Sequence, residues 1–366
     1  MKFLKSKFDI PQFESANSAI RRYRENFRMR SGGFSLPEVQ LTEIYKSDQP
    51  IKESQSKILI SLPVCNQERI IHGILTQLLL NISIESTLVI TIDYCLDDSE
   101  RVIRDVIESF DGETCISEIL ILKSHGDLFE STCENLALSV AEGEFFLSMQ
   151  ADIYFTDPKF LNIALAGFNQ ESSLLAIGSR AVFPINAPSR FKISYFSYKL
   201  LSRCFNWLTS RLFGVVFLFP RLFMDSYFGD VSSPPKNRLR FSKNQSQRIY
   251  PGAYLIRGPI LWRTNFLRGL GGNDDVSFFM GGDERKLCLR GAADQGLFVA
   301  YLPSQCFTNL WTGTSHKAHL RSKETAIAFD ERAKLCDKYR ILEESRLLQK
   351  ASDQLRGLPS YITINT

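Results

Sequence analysis

Several familiar chemistries need residues that this chain lacks. Its eight cysteines (65, 95, 115, 133, 204, 288, 306 and 336) form no C-x-x-C pair and no spacing of the zinc-site kind. Scattered thiols of this sort are expected to stay reduced and mostly buried, which points to a cytosolic compartment. No G-x-x-x-x-G-K-[ST], H-E-x-x-H or strand-linked G-x-G-x-x-G is present, which disfavours P-loop, zincin and classical dinucleotide sites. The longest clean apolar run, Gly214 to Pro220, is far short of the ~18 residues of a membrane span. The basic start MKFLKSKFDIPQFE is not followed by the ~7 to 15 apolar residues of a secretory signal, so none is expected.

What is present suffices for a large core. The 366 residues are 44% hydrophobic and 23% charged, with a net charge of only +4, a profile unlike that of a disordered chain. At about 150 residues per domain the length allows two compact units or one large one with insertions. Residues 1 to 56 have weak periodicity, an arginine cluster (21, 22, 24, 28, 30) and a Ser-Gly-Gly break, and read as a partly helical arm draped over the main domain. From Lys57 onward, short apolar runs at 58–64, 87–93, 117–123, 144–150 and 174–178 alternate with helical patterns near 68–80, 99–110, 130–141 and 157–168. Continuous apolar strands alternating with helices predict a parallel α/β sheet covered on both faces, with ligands at the carboxyl ends of its strands. A β-like passage (253–262), a helix from about 283 to 295, a strand at 297–302 and a charged amphipathic helix over about 321–350 follow.

The predicted strand ends carry carboxylates that a parallel sheet does not need for folding. The first strand runs into Pro63-Val64-Cys65-Asn66-Gln67-Glu68, the second into Asp93-Tyr94-Cys95-Leu96-Asp97-Asp98, and the fourth into Gln150-Ala151-Asp152. For Asp98 and Asp157 a helix N-cap accounts for the residue; for Asp93 and Asp152 a functional role is favoured. Asp283-Glu284 opens a helix, where acidic residues are stabilised by the macrodipole, and is equally a candidate catalytic pair.

In order and spacing these motifs resemble family 2 glycosyltransferases of the GT-A fold, over about residues 57 to 305. The family's first strand ends in a Pro-x-Tyr-Asn-x-Glu pattern, its second in Asp-Asp-x-Ser-x-Asp and its fourth, introduced by Gly-Glu as at Gly143-Glu144, in Asp-x-Asp. Here Gln150 replaces the first aspartate of that last motif, so one metal ligand is missing. Gly271-Gly272-Asn273-Asp274-Asp275 is similar to the family's GGFDE passage, and Gly282 to Arg290 to its Glu-Asp-x-x-Leu-x-x-Arg helix start.

The resemblance implies a Rossmann-like nucleotide-binding half (57–180), an acceptor half (181–305) and a helical extension (306–366). It also implies transfer of a sugar from a nucleotide-sugar donor to a glycan or lipid-linked glycan; one plausible base and no evident second nucleophile predict inversion. Asp152 would hold Mg²⁺ or Mn²⁺; Asp93 and Glu68 would contact base and ribose; Pro63 and Asn66 would shape the turn under the nucleotide. Asp97, Gln150, Ala151 and Arg290 complete the expected donor side, Glu284 is the expected base and Asp283 the expected acceptor contact. The family's nearby histidine would fall at Asn309, leaving His316 as a candidate metal ligand or an exposed loop histidine.

Between Ser172 and Met224 there are seven basic residues and no acidic one, amid many aromatics. Lys192, Lys199 and Arg203 fall within about 40° at ~100° per residue. The segment 190–224 therefore reads as an interfacial helix on an anionic membrane surface, or as an insertion packed on the sheet; nucleic-acid binding ranks last. The expected location is cytoplasmic, or peripheral on the inner face of a membrane. A non-catalytic binder of nucleotide-sugar or glycan is the rival reading, motivated by Gln150 and Asn309.

Overall fold

The chain begins with β1 (Phe3–Lys5), α1 (Ile10–Arg30), β2 (Val39–Ser47), β3 (Ile58–Val64), α2 (Ile71–Asn81), β4 (Ser86–Ile92), α3 (Ser99–Ser109) and β5 (Ile116–Ser124). It continues through α4 (Glu130–Val140), β6 (Phe145–Ser148), β7 (Ile153–Phe155), α5 (Lys159–Gln170), β8 (Leu174–Gly178) and β9 (Val182–Phe183). Then come β10 (Arg248–Gly252), β11 (Tyr254–Leu255), β12 (Ile260–Arg263), α6 (Thr264–Gly269), α7 (Asp283–Gln295), β13 (Phe298–Tyr301), β14 (Phe307–Asn309), α8 (Lys323–Cys336) and β15 (Ile362–Thr363). This computed structural model describes residues 2–6, 10–49, 51, 57–156, 158–179, 182–183, 247–252, 254–255, 259–279, 283–302, 307–309, 323–336, 346–347, 350–351, 353–355, 357–359 and 362–365. The 190–224 segment, Asp157, His316 and the side chain of Asp283 lie outside the described residues.

An eleven-stranded sheet in the order β1-β2-β5-β4-β3-β6-β12-β8-β13-β10-β15 organises the molecule. Strands β5, β4, β3 and β6 run parallel, as the apolar runs predict. Each parallel strand is apolar on both faces because each face has helices over it. Ile58, Ile60, Leu62 and Val64 of β3 pack with Leu75 and Leu78 of α2, Ile103 and Ile107 of α3 and Phe160 of α5. Leu59, between them in sequence, joins the opposite layer with Ile20 and Phe27 of α1, Leu136 of α4 and Leu287 of α7. At about 1.5–3 kcal/mol for each fully buried aliphatic or aromatic side chain, these two layers supply the main drive for the fold. The architecture is a mixed α/β fold on one large sheet, parallel across β5, β4, β3 and β6 and again between β8 and β13, and antiparallel elsewhere.

Three segments differ from the expected layout. Residues 1 to 56 enter the sheet itself, with β2 antiparallel to β5 and β1 antiparallel to β2, while α1 packs beside α4. The expected strand at 253–262 divides into β11, paired with β9, and β12, which slots antiparallel between β6 and β8. The segment after 305 adds strands as well as helix: β14 pairs with β7 and β15 with β10. Among the described residues, no helix is long and apolar enough to cross a membrane. The described cysteines 65, 95, 115, 133 and 288 are free thiols.

Candidate active site

The carboxyl ends of β3 and β4 are stitched into one platform. Asn66, in the left-handed region at φ 53°, accepts the Leu96 N–H at 2.7 Å through Oδ1. The Glu68 N–H donates to Asp97 Oδ2 at 3.1 Å, and Glu68 Oε2 in turn accepts the Asp98 N–H at 3.1 Å. Three of the expected donor-side residues, Asn66, Glu68 and Asp97, are thereby brought together, with Pro63 half-buried at the end of β3 beside them. Tyr94 and Phe129 have φ of 45° and 64°; with Asn66 they are all the non-glycine residues at positive φ among those described. Such conformations are costly for L-residues and cluster where surrounding structure holds a functional geometry.

Asp93 sits differently from its expectation. It is 5% exposed, and its two oxygens accept the backbone N–H groups of Leu128 (2.7 Å) and Phe129 (3.0 Å). The carboxyl thus fixes the turn that leads into α4. Burial pushes it up to about 7, with a smaller push from Asp127, while the two N–H groups and Arg332 pull the other way. Asp98 occupies the N-cap position of α3 without capping it; it pairs with Arg101 at 2.9 Å, and Asp97 takes the Ser99 N–H at 3.1 Å. Cys95 donates its thiol to the Val64 carbonyl, and burial pushes it up to about 12, which disfavours the thiolate.

The turn after β6 carries Gln150, buried Ala151 and half-buried Asp152. Gln150 Nε2 donates to Glu130 Oε1 at 3.1 Å, at the start of α4. The next residue, Ser131, donates to the Phe278 carbonyl at 2.8 Å, in the loop that precedes α7. Glu284, 9% exposed, lies in the first turn of α7. The first turn of α4 therefore joins the Gln150-Ala151-Asp152 turn to the segment that delivers Glu284. Arg290, expected on the nucleotide, ties α7 to the preceding loop through the Leu270 carbonyl at 3.0 Å, about 10 Å along the helix from Asp283.

The loop before α7 is held tightly. Asn273 and Asn135 exchange two bonds of 2.9 Å, and Asn273 Nδ2 donates to Glu134 Oε2 at 2.6 Å. Gly272, at φ 73°, is required twice over, since a Cβ there would stand 2.6 Å from Asn135 Oδ1. Asp274 receives Lys286 at 2.6 Å, and Asp275, fully buried, receives the Tyr23 hydroxyl and Arg30 at 2.9 Å.

No family model matches the chain, and no curated protein sequence matches it. Solved structures are similar at low identity. TarS of S. aureus, residues 1–349, is 12% identical with a TM-score of 0.42, covering 82% of this chain and 71% of that one. The mannosyltransferase PcManGT from Pyrobaculum calidifontis, in complex with GDP-Man and Mn²⁺, is 13% identical with a TM-score of 0.43, covering 95% and 84%. Glucosyl-3-phosphoglycerate synthase from Mycobacterium tuberculosis, in complex with Mn²⁺ and UDP-glucose, is 12% identical with a TM-score of 0.35, covering 68% of each chain. At such overlap none of these proteins lends its activity to this one.

The donor chemistry at the carboxyl edge is all oxygen. Glu130 beside Gln150, and Asp152 two residues on, are hard ligands of the kind Mg²⁺ and Mn²⁺ take. No group of three His, Cys, Asp or Glu among the described residues could hold an ion unaided. The residues fit a cation held by one or two carboxylates and completed by phosphate oxygens. A cavity of about 250 Å³ between Gly143–Phe145 and Arg263–Arg268 lies at the other end of β6, and its arginines are already engaged. Arg263 donates to the carbonyls of Leu174, Phe168 and Glu171, and Arg268 to those of Leu138 and Ala141 and to Glu142.

Sequence reasoning missed Glu130, Glu134 and Asn135. Part of the signal was available, since Glu130 and Glu134 stand four apart on one face of the expected helix at 130–141, and a carboxylate that such a helix buries, as it does Glu134, demands a partner. Tyr23, Arg30 and Arg332 carried no such signal, because their partners lie more than fifty residues away in sequence.

Proposed function

We propose that the chain is a glycosyltransferase moving a sugar from a nucleotide-sugar donor to a glycan or lipid-linked glycan, with inversion. The acceptor hydroxyl gives its proton to Glu284 as its oxygen attacks the anomeric carbon. The bond from that carbon to the diphosphate oxygen breaks, and the nucleoside diphosphate leaves with the electron pair. Burial of Glu284 in the first turn of α7 suits a base that must be shielded from water. Glu68, Asn66 and Asp97 would receive the nucleoside. Asp152, aided by Glu130, would hold Mg²⁺ or Mn²⁺, which when bound neutralises charge growing on the leaving diphosphate.

The single observation that carries this reading is the pair of contacts at the start of α4, Gln150 to Glu130 and Ser131 to the Phe278 carbonyl, which link the donor-side turn to the approach to Glu284. The test is release of nucleoside diphosphate by purified protein over a nucleotide-sugar and acceptor panel with Mn²⁺. Glu284→Gln should lower kcat by about 10²- to 10⁴-fold with little change in donor affinity. Unchanged turnover in both Glu284→Gln and Asp152→Asn would defeat the assignment.

One observation favours a second reading. The amide of Gln150, spent on Glu130, leaves Asp152 as the remaining carboxylate of its motif, which suits a partner subunit that binds nucleotide-sugar or glycan without turning it over. Calorimetry separates the two: nucleotide binding with no diphosphate release on any acceptor supports the binder.

A further inference from the structure

We propose that Arg332, carried by α8, is a positioning residue for the transfer reaction: it fixes the 273–279 loop against α4 and so sets the start of α7, where Glu284 sits. The proposal rests on Glu284 as the acceptor's base. Arg332 is 1% exposed, and its Cζ stands 4.7 Å from the ring of Phe27, 5.4 Å from Phe279 and 5.8 Å from Phe34. Nη2 donates to Thr132 Oγ1 at 3.1 Å and to the carbonyl of Asp275. One planar head thus joins α1, α4, the loop and α8.

Residue 275 is gripped from both sides. Arg332 holds its carbonyl, while Tyr23 and Arg30 of α1 hold its carboxylate. Phe329, one turn before Arg332, packs on Phe279 at 5.5 Å and on Phe129 at 6.3 Å, the residue whose N–H Asp93 receives. The same helix therefore touches the turn at the donor side and the loop at the acceptor side. A leucine would fill this space at no electrostatic cost, whereas a buried guanidinium carries a desolvation penalty. What the guanidinium adds is direction: Nη2 alone reaches both a hydroxyl and one specific carbonyl, while the planar head rests among three aromatic rings. Because Asp275 precedes Glu284 by only nine residues, and Lys286 of α7 reaches back to Asp274, a shift of this peptide displaces the helix start.

The experiment uses the full chain as wild type, Arg332→Lys, Arg332→Met and Tyr23→Phe. Amide hydrogen exchange over 273–279 is read without substrate, donor affinity by calorimetry, and kcat by transfer. For Arg332→Met the expected result is faster exchange in the loop, a donor Kd within about twofold of wild type and a kcat lower by ~10- to 100-fold, the cost of a small misplacement. Arg332→Lys should fall between, and Tyr23→Phe should move the same way by less. Unchanged loop exchange in folded Arg332→Met, or an equal loss of donor affinity and kcat, overturns the proposal. If Arg332→Met does not fold, Arg332→Lys and Tyr23→Phe decide it on the same criteria. A wild type that neither binds nor transfers would refute the proposed function, and the exchange arm would still judge the clamp.

Discussion

At Asp93 the sign of the pH effect is fixed by burial. Its carboxyl is raised from 3.8 to about 7 in the folded chain, so the native state holds a proton that the unfolded chain has released between those values. Its contribution to stability is therefore full in acid below the unfolded value and is lost as pH rises through about 7. Urea unfolding should show wild type losing more stability than Asp93→Asn between about pH 5 and pH 8. The asparagine variant should itself be weakened by about 1–3 kcal/mol, since an amide NH₂ set against one of the two backbone N–H groups leaves a donor unmet. Sequence could mark Asp93 as a carboxylate at a strand end. It could not reveal that a turn more than thirty residues later would claim both oxygens. That Asn66, Glu68 and Asp97 would lie together was legible because they sit in loops directly after neighbouring apolar runs. Arg332 was not, because among Lys323, Glu324, Asp330, Glu331 and Lys334 it reads as one more surface charge.

Elements built from a single uninterrupted period were the readable ones. Strands β3, β4 and β5 stand within a residue of their predicted bounds because a strand covered on both faces is simply an apolar run. Strand β2 escaped notice although Val39, Gln40 and Leu41 alternate, because a register shift between Leu41 and Glu43 breaks the period of two in mid-strand. The Gly-Glu that introduces β6 has a physical reason: a Cβ on Gly143 would lie 2.6 Å from the backbone nitrogen of Leu59. Gly143→Ala should then push β6 away from β3 and cost about 1–3 kcal/mol, read as a lowered Tm with the nucleotide-side turn disturbed before the α5 layer. An unaltered Tm would mean that the two strands separate freely.

Taken whole, the molecule should respond to ligand as one cooperative body, because the Gln150-Ala151-Asp152 turn and the loop before α7 share α4. Nucleoside diphosphate with Mn²⁺ should raise Tm, by the equivalent of about 2.7 kcal/mol at a hundred times Kd. EDTA should abolish that shift if the cation bridges protein and phosphate, and thermal melts over UDP, GDP and dTDP check both statements.

Strand β12 fills the gap between β6 and β8, yet it lies more than a hundred residues beyond β6 in the chain. During translation, at about 5–20 residues per second, the ladder along Phe145–Ser148 stays open for several seconds before its neighbour leaves the ribosome. An exposed apolar edge of that duration is a natural substrate for a chaperone. Nascent chains stalled before Ile260 should therefore be retained by holdases or recovered in aggregates, while those stalled well past Arg263 should already resist protease across the centre of the sheet.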